Sequence, residues 1–444
     1  MRRSGIRLLA AVVGGALVLA GCGGGGGDKS PSRPASADLA NKSAPHQPIP
    51  RGKGSKVSDD FNGDGARDLV LDALAHRGQG DDPGIGIVYG RRGGLAPGAR
   101  QLLTAHAQGA RTKGQLPAAF ESEASCDLNE DGFTDLLVST DPPYDGQGQP
   151  PVPLQLLFGS PAGLTGKAVK LQVPARARLG NDWADQPVCG DFDGDGAHDL
   201  VLHASNAHLT YLRGPFTRKG APRAAGRPIA APGNDLASGA PAVDVNGDGY
   251  DDLVVREEAR ASKGSLVLGS PKGPNRTGVL FPTSTDVAFG TFGRAKAMDA
   301  ALAAPGGIAL RYDVPGTARA KIDVRNARVY AGDLDGDGRS ELVVGGGGPG
   351  EVWVYRGRAT GLAANATATV VPARSGSRSG SGSDEGTVQV LKVADFDGDR
   401  RADVVVRTAW GQGRDRVEVY PGRAGAEGPV ARKAGVTFST EGFR

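Results

Sequence analysis

Short apolar runs recur along the chain, and each follows directly on a cluster of aspartate and glycine. Such runs are LVL at 69–71, LLV at 136–138, LVL at 200–202 and LVV at 253–255. A second apolar stretch that ends at a glycine comes after the run, as in IGIVYG at 85–90 and LQLLFG at 154–159. Short β-branched runs bounded by turn residues are typical of strands. The pattern predicts an all-β chain.

Composition supports this fold class. The 444 residues include 71 Gly and 30 Pro, and only 5% are aromatic, which favours many short strands joined by turns. The formal net charge is +3, and Lys and Arg are scattered along the sequence. Because nucleic-acid binders concentrate basic charge on one surface, we expect no nucleic-acid partner.

An acidic motif organises the chain. It is Asp-x-[Asp/Asn]-x-Asp-Gly-x-x-[Asp/Glu], followed at once by an apolar run, and we number its residues as positions 1 to 9. The six copies begin at Asp60, Asp127, Asp191, Asp244, Asp333 and Asp395. Their regular spacing identifies one repeated structural unit.

One interval between copies is longer than the others. The copies at Asp244 and Asp333 are 89 residues apart, whereas the other intervals are 53 to 67 residues. Segments 289–293, 300–303 and 307–312 have the strand and turn rhythm of the other repeats without their acidic residues. We therefore predict a seventh, degenerate unit there. The alternative is a long insertion over 279–316.

Each repeat supplies a strand, an acidic hairpin loop, a buried strand, a variable loop and a third strand, with room for a fourth. This is the content of a propeller blade, and radial closure protects the edge strands of such blades. The prediction is a seven-bladed β-propeller of four-stranded antiparallel blades over residues 56–444. A six-bladed ring is the alternative.

The motif and the strand after it resemble a known family. The pattern D-F-[ND]-G-D-G-x-x-D-L-V, followed by V-x-V-x-x-G-x-x-x-G-L, is similar to the FG-GAP or VCBS repeat of integrin α subunits. The resemblance covers the chain from about Lys56 onward. It implies seven blades, calcium in the hairpin loops of one face, and partners bound through loops of the opposite face.

Calcium is the cation that the acidic loops predict. It prefers six to eight hard oxygen ligands, and side chains at positions 1, 3, 5 and 9 of a tight loop, with the carbonyl of position 7, can supply them. We expect five to six structural ions. The predicted ligands, loop by loop, are Asp60, Asn62, Asp64, Ala66 and Asp68; Asp127, Asn129, Asp131, Phe133 and Asp135; Asp191, Asp193, Asp195, Ala197 and Asp199; Asp244, Asn246, Asp248, Tyr250 and Asp252; Asp333, Asp335, Asp337, Arg339 and Glu341; Asp395, Asp397, Asp399, Arg401 and Asp403.

Position 6 is expected to have a positive φ, which glycine adopts without steric cost. Glycine stands there in five loops, but Arg400 replaces it in the last. A non-glycine residue at such a φ costs on the order of 1 kcal/mol, so we expect the last site to be weaker.

An EF-hand shares the first nine positions of this motif but requires a glutamate at position 12 and flanking helices. Position 12 is apolar in all six copies. EF-hands are therefore excluded.

The N-terminus predicts export and lipidation. Arg2, Arg3 and Arg7 precede an apolar stretch over 8–20, too short to span a bilayer but suited to a signal peptide. It ends at Leu-Ala-Gly-Cys, which resembles the bacterial lipobox and implies that Cys22 receives a lipid. We expect a signal peptide over 1–21, a flexible tether over 22–55, and display on the extracellular face of the bacterial membrane.

The mature chain contains two further cysteines, Cys126 and Cys189, just before acidic loops of neighbouring repeats. An oxidising compartment permits a disulfide between them, and two free buried thiols are the alternative.

No catalytic motif accompanies the repeats: G-x-S-x-G, H-E-x-x-H, a P-loop and Cys-x-x-Cys are all absent from the sequence. The prediction is a monomeric, non-enzymatic module that binds an unidentified protein, peptide or glycan. Tyr144, Trp183 and Trp410 are candidate aromatic contacts, although packing between blades is the favoured role for each. The alternative is a propeller enzyme acting on polysaccharide as a lyase or hydrolase.

Overall fold

The computed structural model describes residues 44–72, 74–75, 84–142, 152–179, 184–204, 206–236, 242–293, 297–314, 316, 319–346, 350–372, 386–410 and 413–443. The chain divides into Met1–Asp38 and Leu39–Arg444, and all described residues belong to the second unit. The predicted signal peptide, Cys22, Tyr144 and Trp183 lie outside the described residues. Within them, no helix is long and apolar enough to cross a bilayer.

The described residues form twenty-eight strands in seven antiparallel sheets, and each sheet is built from consecutive strands. Blade 1 has strands β1 to β3, which span Leu69–Leu71, Ile85–Arg91 and Gly94–Leu103. Blade 2 has strands β4 to β7, which span Ser122–Cys126, Asp135–Ser139, Leu154–Leu157 and Val169–Lys170. Blade 3 has strands β8 to β12, which span Asp185–Gly190, Asp199–Ala204, His208–Arg213, Ala224–Ala225 and Ile229–Ala230. The last two both pair with β10, so they form one interrupted outer edge.

The remaining four blades have four strands each in the described chain. Blade 4 has strands β13 to β16, which span Asp235–Leu236, Leu253–Arg256, Ser262–Leu268 and Arg276–Ser284. Blade 5 has strands β17 to β20, which span Asp286–Gly290, Asp299–Ala304, Gly307–Arg311 and Arg319–Ile322. Blade 6 has strands β21 to β24, which span Arg328–Gly332, Glu341–Gly345, Val352–Tyr355 and Ala368–Val370. Blade 7 has strands β25 to β28, which span Thr387–Ala394, Asp403–Trp410, Arg414–Tyr420 and Val436–Phe438.

Helical structure in these residues is limited to an α-helix, α1 at Ala105–Gln108, and two 3₁₀ turns at Ala175–Ala177 and Thr440–Phe443. The all-β, seven-bladed prediction is confirmed. The degenerate unit between the fourth and fifth motif copies is a regular blade, in which β17 pairs with β18 over five residues. The six-bladed alternative is therefore wrong.

The apolar run after each acidic loop is continuous because the second strand of each blade is covered on both faces. Leu200 and Leu202 of β9 pack against Leu137 and Leu156 of blade 2, whereas Val201 packs toward Leu253 of blade 4. Burying both faces of a strand requires apolar residues at successive positions. The core is thus a series of layers between neighbouring blades.

Residues 44–55 contact the propeller, although the sequence predicts a flexible tether as far as residue 55. Gly52 donates its N–H to the Asn62 carbonyl at 3.0 Å, and Ser55 donates to the Gly132 carbonyl at 2.7 Å. A Cβ on Gly52 would lie 1.7 Å from the Gly63 carbonyl oxygen. Its low apolar content does not indicate this docking, because backbone hydrogen bonds rather than apolar side chains hold the segment on the propeller.

The ends of the chain close the ring between blades 7 and 1. Asp59, just before the first acidic loop, pairs with Lys392 of β25 at 3.1 Å and accepts a hydrogen bond from Ser125 of β4 at 2.5 Å. On the outside of the ring, Thr440 Oγ1 donates to Asp415 at 2.6 Å and accepts from the Ala75 N–H at 2.6 Å.

Candidate metal centres and the family they belong to

All six acidic loops lie at the same end of the propeller. In five acidic blades the loop joins the first strand of the blade to the apolar second strand, as 127–134 joins β4 to β5. In blade 1 the loop precedes β1, which is the apolar strand equivalent to β5. Because consecutive blades repeat the same topology, their loops fall on one face. The sequence therefore places six groups of carboxylates on a single surface.

Each loop folds around its first aspartate. The N–H of position 6 donates to the carboxylate of position 1 in all six loops, at 2.7 Å for Gly65 to Asp60 and 2.9 Å for Arg400 to Asp395. The N–H of position 7 donates to the carboxylate of position 5, at 2.8 to 3.2 Å. These bonds define the conformation that all six acidic loops share.

Position 6 has the positive φ that the sequence predicts. Its glycines have φ between 83° and 89°, and Arg400 has φ of 69°. Position 4 is also left-handed, with φ of 68° to 79° at its glycines and 56° at Glu130. The glycine that recurs at position 4 in five of the six loops is the sequence signal for this second left-handed residue.

Side-chain oxygens of positions 1 and 3 converge inside the loop. In blade 1 the Asp64 N–H is shared by Asp60 Oδ1 and Asn62 Oδ1, both at 3.2 Å, and the loops of blades 2 and 4 repeat this arrangement. Two oxygens that share one donor must lie close together. A cation near this point would meet both.

Three loops bring three carboxylates together, with one oxygen from each lying within 4.8 Å of the others. The groups are Asp191, Asp193 and Asp199 in blade 3, Asp333, Asp335 and Glu341 in blade 6, and Asp395, Asp397 and Asp399 in blade 7. Position 3 is asparagine in the other three loops, so an amide takes the place of one acid there. Asp193 is buried, and its Oδ1 atom has no hydrogen-bond partner. A buried, unpaired carboxylate oxygen is costly, which fits a cation site.

Position 9 has a second role, which the motif does not reveal. Asp135 accepts the N–H of Leu128 at position 2 and the N–H of Gly159, the glycine that ends β6, at 3.1 and 2.9 Å. The loops of blades 1, 4, 6 and 7 repeat both bonds. In blade 3 the Gly214 N–H and the Tyr211 hydroxyl are the donors to Asp199. The position 9 carboxylate therefore ties the loop to the third strand.

The glycine after the third strand makes this contact possible. A Cβ on Gly90 would lie 2.2 Å from the Arg67 carbonyl oxygen, and one on Gly214 would lie 2.1 Å from the His198 carbonyl oxygen. Both carbonyls belong to position 8. Only glycine allows the third strand to approach so closely while its N–H reaches the carboxylate.

Burial changes the acidity of the position 9 carboxyls. Desolvation raises the pKa of Asp135 to about 8 and the pKa values of Glu341 and Asp403 to about 7. It raises the pKa values of Asp199 and Asp252 to about 6. Neighbouring carboxylates of the same loops add to these shifts, while the backbone N–H donors oppose them. Burial therefore favours the protonated form of each of these carboxyls.

Blade 5 keeps this structural carboxylate without the other acids. By alignment with the other repeats, Thr291, Gly293 and Ala295 occupy positions 1, 3 and 5. Asp299 occupies position 9, is fully buried, and accepts the Asp313 N–H at 2.6 Å. Asp313 stands where the other blades have the strand-ending glycine and has φ of 56°. The sequence pattern did not indicate a role for Asp299, because the other acids of the motif are missing from this repeat.

Arginines contact several loop carboxylates. Arg213 and Arg223 pair with Asp193 and Asp195 in blade 3, and Arg218 pairs with Asp131 in blade 2. Arg356 pairs with Asp335 in blade 6 at 2.8 Å, and Arg401 pairs with Asp399 in blade 7. The Arg223 guanidinium lowers the pKa of Asp195 through its hydrogen bond.

Other predicted residues have definite places. Cys126 and Cys189 form a disulfide that joins β4 to β8, the inner strands of blades 2 and 3. Trp410 is buried, with the Arg416 guanidinium 5.6 Å from its ring centroid, so it packs within blade 7. The carbonyls of position 7 remain predicted ligands.

The propeller surrounds an axial channel of about 1250 Å³. At the end opposite the acidic loops, Asp72 follows β1, Glu121 precedes β4 and Asp185 begins β8. Desolvation by the channel walls raises the pKa of Glu123 to about 7, and Glu121, Asp185 and Asp72 raise it further. This mouth of the channel is acidic.

Two family comparisons match the repeats. The FG-GAP-like repeat matches residues 333–406, and the FG-GAP repeat matches residues 235–268. Those segments are the acidic loops and strands of blades 6, 7 and 4, whose geometry the other acidic blades share. The chain is a β-propeller with FG-GAP repeats in blades 4, 6 and 7. This agrees with the resemblance to integrin α subunits that the motif indicated.

Curated relatives match parts of the FG-GAP propeller. Rat phosphatidylinositol-glycan-specific phospholipase D is 32% identical over 152 residues, which are 33% of this chain and 17% of that protein. Integrin alpha-PS5 of Drosophila melanogaster is 30% identical over 164 residues, which are 36% of this chain and 15% of the integrin. The chain thus spans less than one-fifth of the length of these relatives.

The solved structures that match this chain have lower sequence identity to it than the curated relatives do. The BP39L lectin from Burkholderia pseudomallei has a TM-score of 0.43 and 14% identity, covering 83% of this chain and 99% of the lectin. BBS1N, crystallised in complex with ARL6DN, has a TM-score of 0.45 and 12% identity, covering 84% of this chain and 92% of that one.

Proposed function

We propose that this FG-GAP propeller is a calcium-stabilised binding module. The observation that carries the proposal is the convergence of three carboxylates in each of the loops of blades 3, 6 and 7. The unpaired, buried Asp193 Oδ1 supports the same conclusion. Hard oxygen donors at this density suit calcium better than softer transition metals.

The side chains at positions 1, 3 and 5 would hold the ion, with position 9 contributing its remaining lone pairs. The ion would supply positive charge among carboxylates that otherwise repel one another. Its role is structural, because each loop leads directly into the apolar strand buried between neighbouring blades. Extracellular calcium modules bind with Kd near 10⁻⁴ to 10⁻³ M, so millimolar calcium would fill such sites substantially.

The test is a thermal melt of the purified full-length chain with metal analysis. We expect five to six calcium ions per chain and a higher melting temperature in calcium than in magnesium or after metal removal. At a concentration ten times Kd, each site adds about 1.4 kcal/mol to the free energy of unfolding. An unchanged melt with no bound metal would overturn the calcium proposal.

We further propose that the propeller is displayed outside the cell on a lipid attached to Cys22 and binds a protein, peptide or glycan there. The lipobox-like Leu-Ala-Gly-Cys segment supports anchoring, and the similarity to integrin α subunits supports a binding role. Metabolic labelling with a radioactive fatty acid tests the anchor. Label on the native chain and none on the Cys22→Ala variant is the expected result.

A second candidate function is enzymatic. The match to a phosphatidylinositol-glycan-specific phospholipase D favours testing it, although the matched part is 17% of that protein. The alternative stated from the sequence is a lyase or hydrolase that acts on polysaccharide. Incubation with phosphatidylinositol-glycan and with a panel of polysaccharides distinguishes these two activities from a binding module. We expect no product from either class, and turnover that a channel variant abolishes would favour the enzyme.

A further inference from the structure

The acidic loops differ at position 3, and a second difference accompanies it. Position 3 is asparagine in blades 1, 2 and 4 but aspartate in blades 3, 6 and 7. The residue before the glycine that ends the third strand is arginine in blades 3 and 6, namely Arg213 and Arg356. The same place holds Tyr89, Phe158 and Leu268 in the asparagine blades.

The structure brings these two differences together. Arg213 pairs with Asp193, whose Oδ2 also accepts the Tyr211 hydroxyl at 3.0 Å. In blade 6, Arg356 pairs with Asp335 at 2.8 Å. Asp193 and Asp335 are both buried, so each arginine offsets a charge that water reaches poorly.

A second arginine reaches each of these loops. Arg223 pairs with Asp195 in blade 3, and Arg339 lies 3.5 Å from Asp337 in blade 6. Blade 7 has proline before its glycine, but Arg400 stands at position 6 and Arg401 pairs with Asp399. Blades 3 and 6 thus have two arginines each, one of them paired with the position 3 aspartate, whereas the arginine pair of blade 7 is on position 5, as it is in blade 2.

In the asparagine loops position 3 is a neutral amide, and among the described residues the contacts involve position 5. Asn246 Nδ2 donates to Asp248 at 3.0 Å, and Asn62 Nδ2 lies 3.4 Å from Asp64. In blade 2, Arg218 pairs with Asp131. A neutral amide hydrogen bond offsets carboxylate repulsion less than a guanidinium does.

We propose that the loops form two classes with different dependence on calcium. The arginines on the position 3 aspartates of blades 3 and 6 act as internal counter-cations that keep those two hairpins folded without metal. The loops of blades 1, 2 and 4 require the ion to stay folded. This inference rests on the calcium binding proposed above and assigns it unequally among the blades.

Hydrogen–deuterium exchange of the full chain, with and without calcium, tests the proposal. On calcium removal, amides of the loops at 60–68, 127–135 and 244–252 should exchange at least about tenfold faster. Those of the loops at 191–199 and 333–341 should change less than about threefold. The blade 5 loop, which lacks acids at positions 1, 3 and 5, serves as an internal reference.

Two variants of blade 3 sharpen the test by giving it the residues that blade 4 has at the same two places. Arg213→Leu, which copies Leu268, should make loop 191–199 calcium-dependent and speed its metal-free exchange about tenfold. The double variant Arg213→Leu and Asp193→Asn should fall between Arg213→Leu and the native chain. Arg227→Leu, at an exposed arginine of the same blade, is the matched control and should change nothing.

The outcomes separate the two proposals. Equal acceleration in all six acidic loops, or an Arg213→Leu variant that exchanges like the native chain, would overturn the two classes while leaving calcium binding intact. No response of any loop to calcium would instead remove the proposed function itself. Should Arg213→Leu fail to fold, Arg356→Leu in blade 6 provides the same comparison.

Discussion

The hairpin loops of blades 5 and 7 share two buried residues but differ in their acids. Both carry a buried phenylalanine at position 2, Phe292 and Phe396, and a buried carboxylate at position 9, Asp299 and Asp403. Only blade 7 has acids at positions 1, 3 and 5. The motif therefore has two parts: position 9 ties the loop to the blade, and positions 1, 3 and 5 carry the acids that we propose as cation ligands.

The first prediction removes the carboxylate that both blades keep. Asp299→Ala leaves the Asp313 N–H without its buried acceptor, and an unpaired buried donor costs about 1–3 kcal/mol. We expect a loss of about 3 kcal/mol in the free energy of unfolding, equal with and without calcium. Urea denaturation measures it. Asp403→Ala should cost a similar amount in metal-free buffer, and a neutral Asp299→Ala variant would contradict the structural role.

The second prediction concerns pH. The folded-state pKa values of Asp135, Glu341 and Asp403 lie above the usual carboxyl value, chiefly through burial. Protonation therefore favours the fold below about pH 4, and this contribution is lost as pH rises toward 8. Metal-free protein should lose about 2 kcal/mol of stability between pH 5 and pH 8.

Calcium should weaken or reverse that trend, since a cation favours ionised carboxylates. Thermal melts of metal-stripped and calcium-loaded protein at several pH values measure both slopes. Parallel slopes in the two conditions would show that the position 9 carboxyls do not respond to the ion.

The third prediction addresses a residue that blade 5 lacks. Asp333→Ala removes a position 1 carboxylate from one of the three convergent groups. It should eliminate one bound ion and lower the free energy of unfolding by about 1.4 kcal/mol in calcium at ten times Kd. Thr291→Ala, at the same position of blade 5, is the control and should leave ion content unchanged. A variant that retains every ion would exclude position 1 as a ligand.

The smallest expected effect is at position 6 of blade 7. Arg400→Gly relieves a positive φ of 69° and should stabilise the protein by up to about 1 kcal/mol. The reciprocal Gly338→Arg in blade 6 should destabilise it by a similar amount. Melting temperatures of the two variants should shift in opposite directions, and shifts of the same sign would contradict the strain argument.

Much of the fold could be predicted because it is repeated. The spacing of Asp60, Asp127 and their equivalents sets the blade count, and the apolar run after each position 9 acid marks the strand buried between blades. The glycine at position 6 indicated the loop conformation, which the structure confirms. Even the degenerate blade 5 kept the alternation of apolar runs and turn residues from which its strands were predicted.

The sequence by itself determined the architecture and the loops in which acids gather, since both depend on residues close together along the chain. Only the tertiary structure revealed that Asp135 and its equivalents hold the third strand, because that contact joins residues such as Asp135 and Gly159 from different strands. The pairing of Arg213 with Asp193, the disulfide between blades and the docking of residues 44–55 are likewise contacts between distant segments. Such contacts form once the blades pack, and motif spacing carries no information about which side chains then meet.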